Sequence, residues 1–208
     1  HTDACQSYTK VGINVNKLGL DIVTLNAHKI HGPKGVGALY IRDGIKIVPW
    51  SHGGGHEKGL RSGTENISGI TGFAKAVKNS RLRYIKKMAK LRDYTITQIL
   101  KIPKTKLNGA KGNKRLCNNV NICFQNIEGE AIGGYLEAYG ICTSTGSACS
   151  SNTLESSHVL KSIGLNDLQS NTSIRISISK YTTKKEIDYF LKILPKIVMK
   201  LRKISPFK

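Results

Sequence analysis

A lysine set directly after a histidine, at the mouth of a glycine- and proline-rich turn, is the first group in this chain fit for covalent chemistry. The stretch reads Leu25-Asn26-Ala27-His28-Lys29-Ile30-His31-Gly32-Pro33-Lys34-Gly35-Val36-Gly37. An apolar run over 21–25 enters the turn and another over 37–42 leaves it, and both read as strands. An amine in that position is a candidate Schiff-base nucleophile. It must be neutral to attack a carbonyl, so its site has to lower its pKa. Gly32, Gly35 and Gly37 would let backbone come close to a ligand. Taken alone, Lys29 reads more readily as one more surface lysine in a lysine-rich chain.

Three further runs change that balance: His1-Thr2-Asp3-Ala4-Cys5-Gln6-Ser7 before the lysine, Arg61-Ser62-Gly63-Thr64 after it, and Ser147-Ala148-Cys149-Ser150-Ser151 far downstream. In this order the chain resembles the cysteine desulfurases, pyridoxal-phosphate enzymes of the class-V aminotransferase group. The resemblance covers nearly the whole chain. It implies that Lys29 carries the cofactor, that Asp3 meets its ring nitrogen and that Gln6 bonds its phenolic oxygen. Asn26 and His28 match positions that reach the phosphate. The family often has serine where Asn26 stands, and an asparagine amide can still donate there. Thr64 matches a threonine that contacts the phosphate of a neighbouring subunit, so a homodimer is implied. Arg175, alone among Ile174 and Ile176, matches the arginine that grips the substrate carboxylate as a two-pronged fork.

Cys149 sits in a small, polar run over 143–153 with almost nothing to bury, which predicts a mobile loop. Such a thiol can visit bound substrate and then leave. The resemblance implies that L-cysteine becomes L-alanine while the sulfur parks on Cys149 as a persulfide. An iron-sulfur scaffold protein, a tRNA-thiolation partner or another sulfur acceptor would then receive it. Ser156 stands where the family commonly has proline. Two alternatives stay open: another class-V enzyme, such as a selenocysteine lyase or aminotransferase, and an inactive basic remnant that binds RNA. The spacing of His52 and His56 suits a metal-binding helix, but the three glycines between them make a helix improbable, so no metal site is expected.

The implied fold is α/β, pyridoxal-phosphate fold type I. Residues 1–80 are expected to be the second half of the cofactor-binding large domain, with a mainly parallel sheet. Residues 81–208 are expected to form a small α+β domain carrying the cysteine loop. Strands are predicted over 11–15, 45–50, 119–124, 141–143 and 174–178, and a turn-rich break over 103–113. Helices are predicted over 66–78, 81–100, 129–139 and 183–203, the last with Thr183 as N-cap and Glu186 three residues on. Because the first residue is His1, the chain reads as the C-terminal part of a longer protein.

Composition narrows the partners. The chain has 33 Lys+Arg against 13 Asp+Glu, a formal charge of +20. The lysines are scattered and not interleaved with aromatics, so a lysine-rich surface is favoured over a nucleic-acid site. No apolar run approaches the ~20 residues needed to span a bilayer, and no secretory signal is apparent. Five cysteines, an odd number without C-x-x-C spacing, argue against a disulfide framework and for a reducing compartment such as the cytoplasm.

Overall fold

The computed structural model describes residues 1–145 and 156–206. The chain divides into two compact units, His1–Leu82 and Arg83–Lys208.

In the first unit, β1 (Thr2–Asp3), β2 (Ile22–Asn26) and β3 (Gly37–Ile41) form a three-stranded sheet in that order. β1 runs parallel to β2, and β3 pairs antiparallel to it, with Asn26 opposite Gly37. Helix α1 (Ile67–Lys78) closes the unit. Asn66 caps it by accepting from the Gly69 N–H at 3.0 Å. Phe73 and Ala76 of α1 pack on Ala27 and Ile30 in a small core. Of the apolar period expected for this helix, Ile67 and Ile70 are exposed, and the buried face is Gly69, Phe73 and Ala76.

Residues 11–15 do not form the expected strand. Asn14 and Asn16 turn the chain instead: Asn14 Oδ1 accepts from Lys17 N–H, and its carbonyl accepts from Leu18 N–H. Arg42 ties that turn down, donating to Asp21 Oδ1, Asn16 Oδ1 and the carbonyls of Val15 and Leu20. Residues 45–50 are also outside any ladder. Pro49 has no N–H to give one, and Val48 and Trp50 are 89% and 88% exposed.

The second unit is built on an antiparallel sheet in the order β4 (Thr105–Leu107), β5 (Asn119–Phe124), β6 (Ser173–Ser177). Helices α2 (Leu82–Ile99), α3 (Gly129–Glu137) and α6 (Lys184–Ile204) supply its core partners. Val120, Ile122, Phe124, Ile132, Leu136, Ile174, Leu194 and Val198 are essentially without exposure. Each such side chain contributes about 1.5–3 kcal/mol on burial.

The break expected over 103–113 contains β4, a strand too short to show an alternation. Two five-residue helices, α4 (His158–Ser162) and α5 (Asp167–Asn171), escape periodicity for the same reason. Ser157 caps α4 by accepting from the Leu160 N–H, and Asn166 and Gln169 form a reciprocal capping box at the start of α5. Residues 141–143 form no strand, because only Ser144 reaches β6, through a bridge to Arg175.

α6 follows its sequence closely. Ile187, Phe190, Leu194, Ile197, Val198 and Leu201 face the core at helical spacing. The Glu186 carboxylate accepts from Thr183 N–H at 2.7 Å, and Thr183 Oγ1 accepts from Glu186 N–H at 3.3 Å. The Thr183 N–H and then the Thr183 hydroxyl, which donates to the same carboxylate at 2.8 Å, hold the Glu186 carboxyl below the usual carboxylate range. Thr183→Ala is expected to cost about 1 kcal/mol, read as a lower urea midpoint with an unchanged slope. An unmoved midpoint would show the cap to be idle.

Candidate functional site

Because β1 and β2 are parallel, their carboxyl ends meet at one edge of the sheet, the edge where open α/β sheets place ligands. β1 ends there at Asp3, which pairs with Thr24, and β2 ends at Asn26. The chain then makes a 3₁₀ turn over His28–Ile30. Residues three apart eclipse in such a turn. Ala27 and Ile30 therefore point inward, at 0% and 4% exposure, and His28 and Lys29 are presented to solvent. Asn26 Oδ1 accepts from the Lys29 N–H at 3.3 Å and so starts the turn.

The glycines of the turn serve the protein's own packing. A Cβ on Gly32 would lie 2.9 Å from Ala27 Cβ and 3.2 Å from Ala76 Cβ. One on Gly37 would lie 2.8 Å from the Leu25 carbonyl oxygen. On the helix side, a Cβ on Gly72 would meet Pro33 Cγ at 2.6 Å. The room expected for a ligand at Gly32 and Gly37 is thus taken by backbone and by α1, which clamps the lysine turn in place. Gly35, at φ +76°, supplies the left-handed bend that returns the chain into β3.

Asp3 is positioned by the residue after next. Its Oδ1 accepts from the Cys5 N–H at 2.8 Å. Bonds from the Cys5 thiol and amide hold the Asp3 carboxyl below the usual carboxylate range. Partial burial, followed by the hydrogen bond and charge of Asp3, pushes the Cys5 thiol up to about 11, against the opposing field of the Lys29 ammonium. The amine at 29 and the carboxylate at 3 thus act on one thiol. Cys5 was not expected in this role, although Asp followed two residues later by a free N–H is a known local turn. Gln6 is exposed in the turn that follows.

Thr64 is exposed just ahead of the α1 cap. Its stretch is anchored by Ser62, whose hydroxyl lies 2.8 Å from that of Ser51 and donates to the His52 carbonyl at 2.9 Å. Among the described residues no hydrogen bond or ion pair links Thr64 to the lysine turn. Residues 52–56 form no helix, and among the described residues no group of three or more His, Cys, Asp or Glu could hold a metal ion.

Arg175 lies in β6 of the second unit, half-buried and opposite Asn121. Its backbone exchanges two hydrogen bonds with Ser144, at 3.0 and 2.5 Å. Its guanidinium makes no hydrogen bond or ion pair among the described residues. Arg92 contrasts with it: its guanidinium is bound by Asp93 and by the carbonyls of Arg115 and Leu116. Cys149 lies outside the described residues, as does the rest of 146–155.

Residues 1–190 match the family described as aminotransferase class-V. The chain is 47% identical over 212 residues to the cysteine desulfurase IscS of Dictyoglomus turgidum, covering 100% of this chain and 54% of that protein. It is 47% identical over 209 residues to the cysteine desulfurase IscS of Methanosarcina thermophila, covering 99% and 52%. The chain thus spans about half the length of the curated relatives it matches. Among solved structures, a NifS-like protein superposes with a TM-score of 0.83 at 36% identity, over 96% of this chain and 52% of that one. SspA in complex with cysteine superposes at 0.66 with 33% identity, over 88% and 51%.

Proposed function

The chain belongs to the class-V aminotransferase family, and on that premise we propose that its activity is that of a cysteine desulfurase using pyridoxal phosphate. The observation that carries this reading is the sheet edge that presents Asp3 and Lys29 together, in a chain whose similar proteins are named for that activity. In this reading His1–Leu82 is the cofactor-binding unit, and the second unit carries Arg175 and Cys149.

The donor set fits the cofactor. Lys29 offers an exposed amine on a turn clamped from behind, and Asp3 offers a carboxylate kept ionised by Cys5. Lys29 would carry the group covalently. Asp3 would hold the proton on its ring nitrogen, and Gln6 would bond its phenolic oxygen. Asn26, through its amide nitrogen, and His28 would reach the phosphate. Thr64 would serve the phosphate of the second copy in a homodimer. When bound, pyridoxal phosphate supplies an electron sink that stabilises negative charge at the substrate carbons.

Arg175 has a fork of donors uncommitted among the described residues, the requirement for gripping the L-cysteine carboxylate. The Cys149 thiolate attacks the substrate sulfur. The new S–S bond forms as the substrate C–S bond breaks, the carbon takes the electron pair and a proton, and alanine leaves. The persulfide sulfur then passes to an acceptor thiol, with an iron-sulfur scaffold as the proposed recipient. None of the four described cysteines is in a disulfide, in keeping with a cytoplasmic setting.

The test is to load the protein with pyridoxal phosphate, add L-cysteine with dithiothreitol and count products. Alanine and sulfide are expected in equal amounts. Without reductant, one extra sulfur is expected on the peptide containing Cys149. Alanine without sulfide, or a persulfide on another cysteine, would contradict the reading.

A further inference from the structure

A groove of about 770 Å³ opens in the second unit between the end of α2 and the middle of α6. It shares no residue with the proposed desulfurase site and does not depend on that reading. Its apolar wall is Ile102, Leu191, Pro195 and Met199, the last 59% exposed. Pro195 lies inside α6 and has no N–H, so the regular helical bond to the Leu191 carbonyl is missing at the groove. An interior proline costs a helix ~3 kcal/mol.

The charge around this wall is unbalanced. The groove is lined by the cations Lys101, Lys184, Lys192 and Arg202 and by one carboxylate, Asp188. Asp188 is already taken: Lys184 Nζ pairs with it at 2.6 Å and Tyr94 Oη donates to it at 2.8 Å. Lys101 donates to the neutral Gln98 amide, and Arg202 donates to the carbonyls of Lys104 and Gln125. Among the described residues, no acidic side chain pairs with Lys101, Lys192 or Arg202. Three cations therefore ring an apolar slot without an anion of their own.

We infer that this groove docks an acidic segment of a partner protein, one that sets a large apolar side chain between carboxylates. The apolar anchor would fill the slot between Leu191, Pro195 and Met199, and the flanking Asp or Glu side chains would pair with Lys101, Lys192 and Arg202. That is the usual division of labour at an interface, with a desolvated centre and a charged rim that sets specificity. A single-stranded nucleic acid would carry the right charge but fits the slot less well. Its bases need an open aromatic platform. The one ring here, Tyr94, has Lys184 Nζ 4.7 Å from its centroid and its hydroxyl bound to Asp188.

The test uses fluorescence anisotropy on the whole chain. The probe is a short labelled peptide in which Glu and Asp surround a Leu-Phe pair. Binding in the roughly micromolar range is expected, weakening with salt. Lys101→Glu combined with Lys192→Glu should weaken it about tenfold, and Met199→Ser by a similar factor. These positions are exposed, so the fold should persist, and circular dichroism checks that it does. Lys111→Glu, at an exposed site elsewhere in the unit, should leave binding unchanged. Failure of the peptide to bind overturns the inference. So does equal binding by a peptide with Ser-Ser in place of Leu-Phe, or by an oligothymidylate of matched charge, since either would mean attraction by net charge alone.

Discussion

Lys29→Ala should leave a folded protein that no longer makes alanine from L-cysteine, with the rate down about a thousandfold or more. That factor corresponds to roughly 4 kcal/mol of lost transition-state stabilisation. The expectation follows from the proposed role of this amine as the attachment point of pyridoxal phosphate. The fold should hold because Lys29 is exposed and its turn is built by other residues. Ala27 and Ile30 fill the core, the Asn26 side chain accepts from the Lys29 N–H, and α1 clamps Gly32 and Pro33. Exposed substitutions of this kind usually change stability within about 0.5 kcal/mol. A separate readout is borohydride reduction of the cofactor-loaded protein. It should fix a pyridoxyl group on the peptide containing Lys29, and leave none in the alanine variant. Lys29→Arg keeps the charge but stays protonated, so it should be as inactive as alanine. Wild-type turnover in either variant would falsify the assignment.

Arg175→Leu carries the second large effect, about a hundredfold in kcat/KM for L-cysteine. Losing charge-assisted hydrogen bonds to a substrate carboxylate costs roughly 1.5–3 kcal/mol, and most of it should enter as a higher KM. Arg175→Lys should recover only part, because an ammonium cannot reproduce the fork. Stability separates this role from a structural one. The guanidinium has no partner among the described residues, yet it is half-buried in a strand whose neighbours Ile174 and Ile176 are buried. Removing it should therefore leave the urea midpoint unchanged or raise it. A large drop in midpoint with unchanged KM would make Arg175 a structural arginine like Arg92.

The long elements were readable from residue order. β5 and α6 stand where their patterns put them, because each has enough residues to show a period, and Thr183 with Glu186 marks the start of α6. The candidate site residues rest on the order of their motifs, which periodicity does not supply. What escaped was local and short. β4, α4 and α5 span three to five residues, fewer than a period can declare. The strands expected over 11–15 and 45–50 had suitable composition but no neighbour to pair with. Pairing is a long-range property, and side-chain type does not encode it.

Residue types in their motif order, through the resemblance to the cysteine desulfurases, singled out the candidate groups: an amine at 29, a carboxylate at 3 and a guanidinium at 175. Only the tertiary structure decided how they are held. The parallel pairing of Thr2 and Asp3 with Val23 and Thr24 brings two distant strand ends to one edge. The packing of Gly32 against Ala27 and Ala76 then turns Lys29 outward. Cys5 became the partner of Asp3, and the glycines of the lysine turn served packing. The first is a local turn closed over two residues, whereas the second depends on atoms far apart in the chain, which a linear order of residues does not contain.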